Sequence, residues 1–458
     1  MRISFGLESY LHRSKPLASQ RMINCYIEAA PEGAKTFAAI VESYGIADYL
    51  TVGAGFTRGG IEVNGIPYVV MGEVLYRIPE VGDAIPLGNI PGSSYVHMAG
   101  DETHLMCVTH LLGYVYDGLS VQQITSEGFP GAEWVHLLDG YFIVGVPSSG
   151  KFAISANRDP LTWDALDFAS VERNPDNNVG ATIDHGQLII FGKRSGQVFE
   201  DTGAADFPIE AVANGLFEVG LMSRFAVAQC DNTVYFLGHD GLVYRLNGYK
   251  PERVSTTWVE QIIEDWPDKT CFAMEFIEGG HKLFSLSSDS GTVVFDPSTS
   301  RWHERKSLGF DRWRPLFVIR AYDKWFAGDF YTNRLGILDP DVFTEWGDIL
   351  RCSATSAALS NDNQRIRHTR LELIFEQGTG INQGQGSDPQ VMLDWSDDGG
   401  RTWSGEHWRA MGKIGRYRTR TIWYRLGWSR DRVYRYAISD PVRRTLILAT
   451  ANAEQTAN

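Results

Sequence analysis

Asp139-Gly140-Tyr141-Phe142-Ile143-Val144, a polar turn tip running straight into four apolar residues, is the phrase that decides the fold. It returns as Asp184-His185-Gly186 ahead of Leu188-Ile189-Ile190-Phe191. Further tips fall at Asn64-Gly65, Gly100-Asp101, Cys230-Asp231-Asn232, Glu278-Gly279-Gly280 and Tyr322-Asp323. Marks at 64, 101, 139, 184, 231, 279 and 323 lie 37, 38, 45, 47, 48 and 44 residues apart. That interval is the length of a four-stranded propeller blade. The apolar run after each tip suits a strand buried on both faces between neighbouring blades. A small residue then leads to a partner strand such as Gln197-Val198-Phe199 or Leu242-Val243-Tyr244. Seven marks can be counted, the first and last less regular. The reading is all-β, with a β-propeller of six to seven blades over residues 51–350.

Outside those limits the pattern changes. Residues 1–50 hold Pro16, Pro31 and Gly33 with little periodicity, and read as an extended N-terminal arm. Residues 351–364 are small and polar, a linker. Beyond them Leu371, Leu373 and Phe375 alternate with Glu372, Ile374 and Glu376, and Val391, Leu393 and Trp395 alternate in the next segment. A Gly/Gln-rich loop from Gly378 to Gly386 separates the two. Further strands are expected near 416–426, 433–438 and 443–449. Five strands over 365–450 predict a small C-terminal β-sandwich or barrel. Residues 451–458 read as a frayed tail.

Composition agrees with many short strands and narrows the class. The chain has 458 residues, 47 of them glycine, with 12% aromatics and 13 tryptophans. No apolar run approaches the ~18 residues of a membrane-spanning helix. The first residues lack the apolar stretch of a secretory signal. The five cysteines (Cys25, Cys107, Cys230, Cys271 and Cys352) are scattered and form no metal or disulfide pattern, so folding in reducing cytosol is expected. Net charge is −14, unevenly spread: residues 351–458 carry 16 Lys+Arg against 11 Asp+Glu, and the remainder 26 against 45. An acidic body of −19 disfavours tight wrapping of nucleic acid.

Several motifs invite chemistry. Gly145-Val146-Pro147-Ser148-Ser149-Gly150-Lys151 follows the phosphate-loop pattern, but Phe152 stands where a magnesium-binding hydroxyl belongs, and a strand follows rather than a helix. It reads as a hairpin. Ser396-Asp397-Asp398-Gly399-Gly400-Arg401-Thr402-Trp403 looks like an Asp box, a self-capped turn in which Ser396 and Asp398 bond local amides, Gly400 supplies unusual backbone angles and Trp403 folds beneath. Asp394, Ser396 and Asp398 also alternate as in a calcium loop, but Gly405 occupies the closing glutamate position. Tyr76-Arg77-Ile78-Pro79 resembles the Arg-Ile-Pro motif of sialidases, which opens an alternative: a propeller glycosidase or a glycan-binding lectin. A single Asp box lying after the repeats weakens it. Arg416, Arg418 and Arg420 alternate with Tyr417 and Thr419, and on one strand would share a face. They are candidates for a subunit or phosphate contact, against the plainer reading of a solvated face covering Trp423 and Trp428. No catalytic set, metal site or cofactor site assembles from the sequence.

Three blocks carry a resemblance. Ser19-Gln20-Arg21-Met22-Ile23-Asn24-Cys25-Tyr26 leads to Pro31-Glu32-Gly33-Ala34-Lys35. Trp163-Asp164-Ala165-Leu166-Asp167-Phe168-Ala169 is followed by Pro175-Asp176, Asp201-Thr202-Gly203 and Phe207-Pro208. The Asp box is followed by Gly415-Arg416-Tyr417, Trp423-Tyr424-Arg425-Leu426-Gly427 and Ser439-Asp440-Pro441-Val442. In this order they resemble the packaged-DNA stabilisation proteins, or tail nozzle hubs, of short-tailed bacteriophages. Ser43-Tyr44-Gly45-Ile46 departs from the Pro-Gly-Leu type of phrase usual there, which bears on where the first blade begins. The resemblance implies a structural virion protein that forms a hexameric ring below the portal adaptor. Its implied partners are further copies of itself, the adaptor, the tail needle, tailspikes or fibres, and genomic DNA passing without sequence-specific binding.

Overall fold

Each of the seven marks is a turn between the first two strands of a four-stranded antiparallel sheet. The computed structural model describes residues 2–455 apart from 7, 16–17, 172–175, 205, 267–269 and 363. Met1, Pro16, Pro175 and positions 456–458, all drawn on in the sequence reading, lie outside the described residues. Blades 1 to 6 span 57–89, 97–123, 135–170, 178–217, 227–253 and 272–304. At six tips both turn residues have positive φ, as in Asp139 (48°) with Gly140 (89°) and His185 (49°) with Gly186 (73°). Such turns match the twist of the strands they join, and Asn, Asp and Gly enter them at least cost. In blade 2 Asp101 Oδ1 instead accepts the amides of Thr103 (2.7 Å) and His104 (2.6 Å).

The second strands are the apolar runs, and Tyr141–Gly145, Gln187–Gly192 and Thr233–Leu237 are buried at every position but the first. First strands follow one another around the axis, and Thr57–Val63 of blade 1 lies beside Pro315–Ala321 of blade 7, closing the ring. Here the packing is tight. A Cβ on Gly60 would fall 2.4 Å from the Phe317 ring, and one on Gly59 would fall 2.6 Å from the Val96 carbonyl oxygen. Those glycines interrupt the apolar pattern and explain why the first mark is irregular.

Blade 7 is irregular for another reason. Three of its strands lie in 315–339, but the fourth is Gly45–Thr51, paired antiparallel with Arg334–Asp339. The count is therefore seven blades, with the closing strand taken from the other end of the chain.

The C-terminal unit is a sandwich of two facing sheets. One continues blade 6: Arg301–Glu304 pairs in parallel with Met22–Ile23, and Cys352–Thr355, Asp431–Ile438, Gln390–Ser396 and His407–Ala410 follow in order. The other runs Cys25–Ala29, Ala38–Glu42, Leu446–Gln455, Ile366–Phe375 and Thr421–Tyr424. Leu371, Leu373, Phe375 and Trp423 meet Val391, Leu393, Tyr434 and Tyr436 between them.

Four expectations change. Residues 351–364 are not a linker: Cys352–Thr355 is a buried strand of the shared sheet, and Leu359–Ser360 pairs with Asp431–Ile438. The first fifty residues are extended but not a free arm, because they supply strands to both units. Residues 451–455 are not frayed: they belong to Leu446–Gln455, paired along Ile366–Phe375. The strand expected near 416–426 is confined to Thr421–Tyr424, and 411–420 is an irregular loop. The single helix among the described residues, Thr257–Glu264, packs Trp258, Val259 and Ile263 into the core of blades 5 and 6.

Candidate functional site

The propeller axis is where a ligand would be expected to enter a ring of blades. Here aromatic rings fill it. Tyr95, entering blade 2, meets Phe272 of blade 6 across the axis at 4.6 Å between centroids, and Phe225 stacks on Phe272 at 5.4 Å. His97 stacks on Phe225 at 5.8 Å and meets His136 at 4.9 Å. The Arg312 guanidinium lies 4.1 Å over Phe330. A cavity of about 190 Å³ remains beside this plug. Burial pushes the imidazole of His97 well below its ordinary range and that of His136 down to about 4, so both are neutral at pH 7. No duplex passes along this axis.

The seam between propeller and sandwich is built on Asn24, in the left-handed conformation at φ 56°. Its Nδ2 donates to the carbonyls of Lys306 and Arg351, both at 2.8 Å, while Oδ1 accepts the Lys306 amide at 2.9 Å. Arg21 Nε donates to Glu304 Oε1 at 2.9 Å. Both residues belong to the first resemblance block; composition and periodicity gave no sign of their role. Nearby, Arg305 and Glu278 form an ion pair with both side chains fully buried, and Arg305 Nη2 also donates to the Tyr44 carbonyl at 2.9 Å. Burial pushes the Glu278 carboxyl up, and Arg305 opposes this. A groove of about 700 Å³ follows the seam. Arg21, Lys306, Arg351 and Arg435 line it, each paired with a carboxylate: Glu304, Asp311, Glu406 and Asp394.

The Asp-box turn closes on itself. Ser396 Oγ donates to Asp398 Oδ1 at 2.6 Å and accepts the Gly400 amide at 2.8 Å. Asp398 also accepts the amides of Arg401 and Thr402, each at 2.9 Å, and the Thr402 hydroxyl at 2.6 Å. These donors hold its carboxyl far below the usual range. Gly400, at φ 87°, sits over the half-buried Trp403, on whose ring the Arg435 guanidinium packs at 3.9 Å. The neighbouring carboxylates face elsewhere: Asp394 pairs with Arg435 and Asp397 with Arg432. Among the described residues no three His, Cys, Asp or Glu side chains come together as a metal cluster.

Arg416, Arg418 and Arg420 do not share a strand face, because the two residues after Gly415 that would begin the strand lie in the 411–420 loop. Arg420 is held by Glu372, with Nε to Oε1 at 2.7 Å, while Arg416 and Arg418 are exposed. Arg77 ends Val74–Arg77, the third strand out from the axis in blade 1, remote from the inner ring where a propeller active site would be assembled. Gly145–Lys151 joins two strands as a hairpin turn. No helix among the described residues is long and apolar enough to cross a membrane.

A seven-bladed propeller sharing a sheet with a β-sandwich, its axis filled by aromatic rings, is the architecture these residues build. Residues 21–343 match the family described as bacteriophage P22 Gp10, β-propeller, and residues 352–454 match bacteriophage P22 Gp10, β-sandwich. The chain belongs to the P22 Gp10 family and is a phage tail protein, a component of the virion. No curated protein matches it in sequence. Among solved structures it is similar to the extracellular domain of a putative one-component system of B. thetaiotaomicron, at 11% identity and a TM-score of 0.46. That match covers 88% of this chain but only 59% of the other. The computationally designed Ika8 protein matches at 12% identity and a TM-score of 0.41, over 70% of this chain and 99% of its own. The Cps50 (Swd1) β-propeller domain of Myceliophteria thermophila matches at 8% and 0.42, over 64% and 98%. Likenesses this distant carry no argument about function.

Proposed function

We propose that the chain is the nozzle or hub subunit of a short phage tail. Copies close into a ring, in the family's manner a hexamer, that continues the DNA channel below the portal adaptor, retains the packaged genome and anchors the needle and tailspikes. The subunit folds in the host cytoplasm and acts by geometry rather than catalysis. The observation that carries this reading is the pair of family matches, which together span both units of one continuous architecture.

Two physical features support it. With the propeller axis plugged, DNA has to travel between copies, through a lumen that only a ring supplies. The acidic body, −19 outside residues 351–458, suits a conduit along which DNA slides without adhering. The test is a cryo-electron-microscopy map of the virion. A ring of this chain directly below the portal adaptor is the expected result, and finding the chain only at peripheral fibres would end the reading. The glycosidase alternative draws no support from Arg77, which stands on the third strand out from the axis.

A further inference from the structure

The strand farthest from the propeller in the shared sheet is His407–Ala410, an edge strand exposed along its whole length. It leads through the 411–420 loop to Thr421–Tyr424, and the two strands are tied where Arg409 Nε donates to the Ile422 carbonyl at 3.1 Å. Residues 407–425 contain six Lys or Arg and no Asp or Glu. Trp408 is 51% exposed, Tyr417 71% and Tyr424 61%. Arg416, Arg418 and Arg425 have no carboxylate partner among the described residues. Tryptophan, tyrosine and arginine are the residues that concentrate binding energy in protein interfaces.

Its complement lies at the other end of the molecule. The sandwich stands on blades 6 and 7, through the shared sheet and through Arg443, 3.4 Å from Asp341. In a ring of seven, blade 3 is opposite that pair. The outer strand of blade 3, Asp159–Ser170, has twelve residues, three aspartates and no basic residue. On it Leu166 is 81% exposed between Asp164 and Asp167, and Phe168 lies under Lys151. Between Trp163 and Phe168 the strand breaks register and residues 164–167 bulge from the sheet, which puts Leu166 and its flanking aspartates forward on the outer edge, a point of association unless something covers it.

We propose that the basic aromatic segment 407–425 of one copy, which crosses from one sheet of the sandwich to the other, docks on the acidic blade 3 edge, Asp159–Ser170, of the next. The inference rests on the ring reading and names its contact. Surfaces at opposite ends of one chain make a head-to-tail interface, the type that closes into rings. Charge complementarity selects the occupant: the guanidinium groups of Arg416 and Arg418 meet Asp164 and Asp167, while Leu166 enters the aromatic cluster.

The test uses virions assembled with full-length chain carrying a benzoylphenylalanine photocrosslinker at Tyr417, imaged in parallel for the ring. Crosslinks from that position to 159–170 of a second copy are expected. A ring that persists while the crosslinks go to DNA, to another tail protein or to other parts of the chain overturns this inference and leaves the ring reading standing. Absence of the chain from any ring removes the ring reading itself. Charge reversal supplies a second readout, with folding of each variant checked by its melting temperature. R416E/R418E should cut ring recovery by about tenfold or more, and adding D164R/D167R to the same chain should restore it. Failure of that restoration, with both variants folded, also overturns the contact.

Discussion

Ile23 and Glu304 are paired in register as parallel neighbours, and through them the outermost strand of blade 6 becomes part of the sandwich. A propeller blade ordinarily ends in an open edge. Here the edge is consumed, and Arg21 and Asn24, flanking the joining strand, lock it from both sides.

Asn24→Ala should therefore uncouple the two units. The substitution leaves the Lys306 and Arg351 carbonyls and the Lys306 amide without their partner, at about 1–3 kcal/mol for each group that stays buried. It also places a Cβ-bearing residue less tolerant than Asn in a left-handed conformation. Calorimetry should show the melting temperature fall and the transition broaden or split. A single unshifted transition would refute the role assigned to Asn24.

Gly60→Ala should destabilise the propeller by about 1–3 kcal/mol, because the added carbon collides with the Phe317 ring. Combining it with Phe317→Leu should recover part of the loss, although either change alone is destabilising. Urea unfolding of the two single variants and the double variant measures the coupling, and simple additivity would contradict the geometry.

Stability should decline as pH falls from about 6.5 toward 4. Burial holds His136 and His368 at about 4 and His303 at about 3. Between those values and the ordinary histidine range the unfolded chain binds more protons than the folded one, so acid favours unfolding there. The limiting slope is about 1.4 kcal/mol per pH unit for each histidine. His281 opposes the trend: its hydrogen bond to Asp296 raises it, so its contribution is present at low pH and lost as pH rises through the raised value. Urea midpoints at pH 7 and pH 5 give the sign, and His136→Gln should flatten the difference.

Asp398→Ala should lower the melting temperature, since it removes the acceptor for two amides and two hydroxyl groups in one turn. Chelator, by contrast, should leave the melting temperature of the parent chain unchanged, because Asp394 and Asp397 are committed to Arg435 and Arg432. A drop in melting temperature on adding chelator would revive the calcium reading.

Fluorogenic sialosides should not be turned over by the purified chain above background, and Arg77→Ala should make no difference. Turnover that depends on Arg77 would return the glycosidase reading to first place.

How far the residues alone disclosed this architecture differs from place to place. The blades were legible because each tip needs left-handed residues and each second strand is buried on both faces, so Asp139-Gly140 and Tyr141-Phe142-Ile143-Val144 carry a local signature. Blade 7 was blurred because its fourth strand, Gly45–Thr51, pairs with Arg334–Asp339, a partner no local pattern can reveal. The alternation of Arg416, Arg418 and Arg420 suggested a strand, but Gly412 at φ 124° and Gly415 at φ 73° turn the backbone out of the sheet just before it. The Asp-box turn was recognisable because its capping bonds to local amides are made within seven residues, whereas the side-chain bonds of Asp398 to the Ser396 and Thr402 hydroxyls were not foreseen. Asn24 was not, because its partners lie some 280 and 330 residues away.

The borrowed strand also sets a timetable for biosynthesis. Gly45–Thr51 leaves the ribosome early and has no antiparallel partner until Arg334–Asp339 follows; the hairpin of Cys25–Ala29 with Ala38–Glu42 can form at once, but its outer edge waits longer still, for Leu446–Gln455. Pairings of such sequence separation form late and slowly. A chain cut short by premature termination would retain most of its blades yet lack the sandwich in which its two ends meet. Synthesis through Leu446–Gln455 is thereby made a structural credential, and a subunit halted before it would carry no finished surface with which to enter a tail.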